Sequence, residues 1–307
     1  MEFEVMKLLI EKASLVTAEP GPLQAFDVLI SEGKISEIAE KIIDTGATAI
    51  DASGKILVPG LVDVHVHFRE PGQEYKEDLH TGSLAAAAGG FTTVIAEPNT
   101  NPPIDTPARL RRLLSIAKNK SIINFYSKSA MTKGTMGCQL ADIAKLKEAG
   151  AKAISDDGNP IPSHRLMRNA LIKGKECGIP VSPHCEESAL YRERILRKQE
   201  KLGHRSLLPR MPYAPPGADP YTSEAGFIER DIELAEKTGA HLHISHVSLA
   251  KSVEIIANAK KRGVEVTAEA TPHHLLLTER MAKAIGPNAK VNPPLRSEED
   301  VEAVREG

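Results

Sequence analysis

The chain has 307 residues, of which 41% are hydrophobic and 26% charged, and its formal net charge is −2. That balance excludes a basic tail for nucleic acid or a cationic face for a membrane surface, and no apolar stretch reaches the roughly 20 residues of a membrane span, so the expected partner is a small molecule. Three cysteines, Cys138, Cys177 and Cys185, are too few and too scattered for a disulfide framework, which makes a reducing cytoplasm the expected location. The first residues, MEFEVMKLLIEKASLV, carry acids where a secretory signal carries bases, and they read as mature protein.

In chain order, residues 1–57 read as short strands over 6–10, 26–30 and 34–38, separated by turns with Gly and Pro. They are expected to form the N-terminal part of a small β-sandwich domain. From Lys55 onward short apolar runs alternate with helical periodicity, the mark of βα units around a parallel sheet. The runs are 56–68, 92–96, 121–127, 151–155, 179–183, 241–247 and 264–270, with helical patterns such as 141–149 and 252–262 between them. The fold class is therefore α/β. Residues 58–307 are expected to form a (β/α)8 TIM-type barrel lacking its last βα unit, because such a barrel has eight strands and these runs supply about seven. Ser297 is the expected N-cap of the last helix, with acids in its first turn, and the chain reaches Gly307 where an eighth strand is expected. The longest irregular stretch, 203–221 with five prolines, is expected to be a surface loop or part of an active-site rim.

The stretch 59–69, PGLVDVHVHFR, is an apolar strand ending in two histidines two positions apart. Residues i and i+2 of a strand share a face, so His65 and His67 can grip one metal ion together. Their place at the C-terminal end of the first barrel strand, where barrel enzymes keep their chemistry, favours ligation over coincidence. Asp156 and Asp157 after the fourth strand, His184 in the fifth and His246 in the sixth extend a donor set that suits zinc. Periodicity leaves the face of His246 open, because His243 has the opposite parity in a strand apolar on both sides. His273 and His274 are expected to pack rather than ligate, and Cys185 to be a small buried residue rather than a nucleophile.

The motifs His65-Val66-His67-Phe68-Arg69-Glu70-Pro71-Gly72, Tyr75-Lys76-Glu77-Asp78, AGGFTT over 88–93, PNTNPP over 98–103, Asp156-Asp157-Gly158, His184-Cys185-Glu186 and Asn292-Pro293-Pro294-Leu295-Arg296 together resemble the type I dihydroorotases of bacteria and archaea. The resemblance spans nearly the whole chain. It implies two zinc ions per subunit, one on His65 and His67 and a second on His184 and His246, with Asp157 bridging them. Related hydantoinases and some dihydroorotases place a carboxylated lysine at the end of strand four. Here Ser155-Asp156-Asp157-Gly158 stands there and the nearest lysine, Lys152, lies at the strand's other end, so a carboxylate bridge is expected, with Asp157 ahead of Asp156. Arg69 and Asn99 match the family's residues for the substrate carboxylate, and Asn292 matches a position that contacts the pyrimidine ring. The chemistry fits, since a guanidinium forks onto a carboxylate and an amide both donates and accepts.

The implied reaction is the reversible hydrolysis of dihydroorotate to N-carbamoyl-aspartate in pyrimidine synthesis. The resemblance places its general acid-base aspartate on the eighth strand, beyond Gly307, so the 307 residues are expected to be a fragment with reduced activity. The implied partners are the small-molecule substrate and either a second subunit in a homodimer or aspartate transcarbamoylase. Two other readings stand beside it. A hydantoinase, allantoinase or other cyclic-amide hydrolase is opposed by Arg69 and Asn99, which suit a carboxylate. An inert dihydroorotase-like partner subunit is opposed by the retention of all five candidate ligands.

Overall fold

The computed structural model describes residues 7–17, 22–186 and 220–307, so most of the expected loop over 203–221 lies outside the described residues. Two compact units divide the chain, Met1–Leu61 and Val62–Gly307.

In the first unit β1 (Lys7–Leu15) pairs antiparallel with β2 (Gln24–Ser31), and β2 with β3 (Lys34–Ala39). The β2–β3 turn, Glu32-Gly33, has positive φ at both residues, 54° and 73°, which matches the right-handed twist of a two-residue hairpin. β4 (Thr48–Asp51) and β5 (Ile56–Leu57) join the other edge of β1 in parallel. Leu9, Leu29 and Ile42 make the small core. An irregularity in β1 at Lys12 is held by Asp27, whose carboxylate accepts the backbone N–H groups of Lys12 and Ile42 at 2.8 and 2.9 Å.

The second unit has the strand order of a (β/α) barrel. β6 (Leu61–Val66) neighbours β7 (Phe91–Ala96), which pairs in parallel with β8 (Asn124–Ser127). After Lys128 the same strand resumes as β9 (Ser129–Ala130) and pairs in parallel with β10 (Ile154–Ser155). Val181 alone bridges β10 to β11 (Leu242–Ile244), and β11 pairs with β12 (Val266–Ala268). Every apolar run expected to be a barrel strand thus supplies one, although the fifth is a single bridging residue.

Helices with legible ends lie between the strands. α1 (Leu79–Ala88) opens on an Asp78–Thr81 capping box, α2 (Pro107–Lys120) on Thr106 with Pro107 in its first turn, and α3 (Ile143–Glu148) on Asp142. α4 (His164–Cys177) opens on Ser163 and closes on Gly178 at φ 59°, a left-handed cap that glycine adopts without strain. α5 (Pro220–Thr238), α6 (Ala250–Lys261), α7 (Pro272–Leu276), α8 (Glu279–Ile285) and α9 (Glu298–Glu306) follow, and Ser297 caps α9 as expected, through a box with Asp300. Strand residues Val94, Ile154, Val181, Leu242 and Ile244 pack with Leu110, Leu146, Met167, Leu171 and Ile228 of the helices in one continuous core. Each such burial contributes about 1.5–3 kcal/mol, which fixes the strand ends from which the polar side chains project. No described helix is long and apolar enough to cross a membrane.

Candidate metal centre

His65 in β6 and His67 just past its end stand two positions apart, with ring centroids 5.3 Å apart. β10 is followed by Asp157, whose backbone N–H donates to Ser155 Oγ at 3.0 Å and whose carboxylate is buried. Around that carboxylate stand four imidazoles. Oδ1 lies 3.3 Å from His184 Nδ1, 3.5 Å from His246 Nε2 and 3.6 Å from His65 Nε2, while Oδ2 lies 3.5 Å from His67 Nε2.

Two donors about 2.1 Å from one ion at the tetrahedral angle sit about 3.4 Å apart, so these separations are those of donors sharing an ion. The donors also crowd: His184 Nδ1 and His246 Nε2 are 2.8 Å apart, and the buried His246 Nδ1 has no hydrogen-bond partner among the described residues. His65, Asp157 and His246 offer ligand atoms within 4.8 Å of one another. The residues therefore fit a divalent cation.

His246 reaches this cluster through a break in the strand. Glu269 donates its backbone N–H to the carbonyl of Ile244 and accepts that of Val247, so three residues of chain advance where a regular parallel ladder advances two. The extra residue gives His246 a φ of 40°, in the left-handed region, and turns its ring onto Asp157. His243 points elsewhere, with Nδ1 2.9 Å from Thr267 Oγ1 and Nε2 3.1 Å from Glu269.

The site's electrostatics follow from this crowding. Burial by itself would lower His65 and His184. Glu97, Asp157 and Glu269 around His65 push it up to about 10, and Asp157 with Glu186 pushes His184 up to about 9. His67 and His246 are held below the ordinary histidine value by burial, which keeps them neutral and ready to donate a lone pair. Beside the cluster a cavity of about 440 Å³ is lined by Arg69, Gln73, Asn99, Asp157, Gly158 and Asn159. Asn99 Nδ2 donates to Asp157 Oδ2 at 2.9 Å and its Oδ1 lies 3.1 Å from His67 Nδ1, so one amide touches both the carboxylate and an imidazole.

The family model for dihydro-orotase-like proteins matches residues 54–252. The chain is 42% identical over 306 residues to a dihydroorotase of Citrifermentans bemidjiense and 44% identical over 302 residues to one of Caldicellulosiruptor saccharolyticus; these alignments cover 98% of this chain and 69% and 68% of those proteins. The chain belongs to the dihydroorotase family. In fold this family member is similar to the L-hydantoinase (dihydropyrimidinase) of Arthrobacter aurescens, at 27% identity and a TM-score of 0.80, and to a D-hydantoinase at 26% and 0.73. It spans 65% and 66% of those two chains, which carry the amidohydrolase barrel fold.

Of the other residues expected at a dihydroorotase site, Asp156 turns away from the histidines. Its carboxylate accepts the backbone N–H groups of Met131 and Thr132 and the Thr132 hydroxyl, and burial pushes it up to about 7. Asn292 is exposed and does not line the cavity. His274 is buried between Thr271 Oγ1 at 2.8 Å and the Pro293 carbonyl at 3.0 Å, which it tethers. Burial pushes the Cys185 thiol well up, 3.7 Å from Asp231, the condition of an inert cysteine. Sequence reasoning missed three acids and a lysine around the centre. Glu269 meets His65, Glu186 Oε2 lies 3.5 Å from His184 Nε2, and Glu97 pairs with Lys128, whose Nζ donates to Ser182 Oγ at 3.0 Å. Their signal was a charge at or beside an apolar run, as at Glu97, Lys128 and Glu269.

Proposed function

We propose that the protein is a zinc-dependent dihydroorotase, opening the cyclic amide of dihydroorotate to N-carbamoyl-aspartate and closing it again. The carrying observation is the Asp157 carboxylate with four imidazoles 3.3–3.6 Å from its oxygens, beside a cavity that holds Arg69. His65 and His67 would hold one zinc ion and His184 and His246 a second, with the Asp157 carboxylate shared between them. Zinc bound there lowers the pKa of water toward about 7 and polarises the amide carbonyl, supplying nucleophile and electrophile. Arg69 forks onto the substrate carboxylate and holds the ring against the centre, with Asn99 completing that contact while it orients Asp157 and His67. The relatives' names support the substrate.

Metal analysis joined to an assay tests the reading. Purified protein should carry zinc, and the double variant His65→Ala, His67→Ala should lose at least one equivalent together with dihydroorotate turnover. An unaltered stoichiometry would remove the ligand assignment.

A further inference from the structure

Glu269 stands just past β12, where the apolar run of the seventh strand hides a charge. Its Oε1 meets Nδ1 of His65 from β6, and its Oε2 lies 3.1 Å from Nε2 of His243 in β11. One carboxylate at the end of the seventh strand thus joins imidazoles carried by the first and sixth strands. The far side of His243 is fixed as well, with Nδ1 2.9 Å from Thr267 Oγ1. The backbone of Glu269 is held at the break in the sixth strand, between the carbonyl of Ile244 and the N–H of Val247, so the carboxylate has little freedom to leave.

These contacts divide the two nitrogens of His65. Nδ1 is committed to Glu269, and Nε2 faces Asp157 Oδ1 at 3.6 Å. An imidazole that donates Nδ1–H to a carboxylate is locked in the tautomer whose lone pair is on Nε2, its ring plane is fixed, and its basicity as a ligand is raised. We infer that Glu269 is the positioning residue of the metal centre, fixing the tautomer and aim of His65 while its backbone secures the break that turns His246 inward. This rests on the reading of His65 as a ligand. Loss of such an outer partner commonly weakens metal binding 10–100-fold.

The test measures zinc affinity by competition with a chromophoric chelator for the unaltered chain, Glu269→Gln, Glu269→Asp and His65→Ala, with circular dichroism of each metal-free protein. Glu269→Gln should weaken the tighter zinc site at least tenfold with the fold retained, and Glu269→Asp should recover part of that loss. Full affinity in Glu269→Gln beside a clear loss in His65→Ala overturns the inference and leaves the ligand assignment standing. Full affinity in His65→Ala removes both. Should Glu269→Gln fail to fold, nitrogen NMR of the unaltered zinc-loaded protein decides: Nδ1–H with Nε2 on the metal supports the inference, and the reverse arrangement overturns it.

Discussion

At the scale of single residues, the centre is organised by one buried carboxylate that four imidazoles face. Asp157 is held well below the usual carboxylate range: burial opposes this, and hydrogen bonds from His184, His246 and His65 outweigh it. On the proposed reading the same histidines would form the ligand shell once a cation replaced their protons, so cation and protons would compete for the same nitrogens. Arg69 acts outside that shell, on the cavity wall. Its substitution by lysine keeps the charge but loses the planar fork. Arg69→Lys should therefore lower kcat/KM for dihydroorotate at least tenfold while costing much less on a hydantoin that lacks the carboxylate. Equal losses on the two rings would show that Arg69 does not read the carboxylate and would favour the hydantoinase reading.

At the scale of elements, two local irregularities aim side chains that regular structure would not. The break in the sixth strand lets His246, three residues after His243, face Asp157 while His243 faces Glu269. The loop after β6 carries Arg69, and its geometry depends on Gly72. With φ at 94° and an ideal Cβ only 1.8 Å from the carbonyl oxygen of Asn101, this position has neither the conformation nor the space for a side chain. Asn101 N–H in turn donates to the Pro71 carbonyl at 3.0 Å, so this loop and the one carrying Asn99 are tied together. Gly72→Ala should lower stability by at least about 2 kcal/mol in urea unfolding, through strain and overpacking, and should displace Arg69 with a rise in KM. Wild-type stability and KM in that variant would show that the loop absorbs the methyl group without reshaping.

At the scale of the whole molecule, long-range tethers hold the segments around the barrel, and one of them titrates. Burial pushes His274 from the ordinary 6.5 down to about 4, where it stays neutral and holds the Pro293 carbonyl 19 residues away. Between those two values the unfolded chain binds more protons than the folded one. Stability from this group is therefore complete above about pH 6.5 and is lost as pH falls toward 4. Urea midpoints of the metal-free protein should fall over that window, and His274→Gln, which can still donate to Pro293, should show a shallower fall. Parallel curves for the two proteins would mean that the charging of His274 has no part in it. The sequence by itself determined what local pattern can carry: the order of the barrel strands, the shared face of His65 and His67, the cap at Ser297 and the family's motifs, because alternation, helical periodicity and capping act over a few residues. Only the tertiary structure decided which of the adjacent Asp156 and Asp157 faces the histidines, that His246 rather than His243 does so, and that Asn99 touches both His67 and Asp157. The physical reason is distance along the chain, since His65 meets Glu269 across 204 residues and the parity of His246 depends on one extra residue in a ladder, which no local period contains.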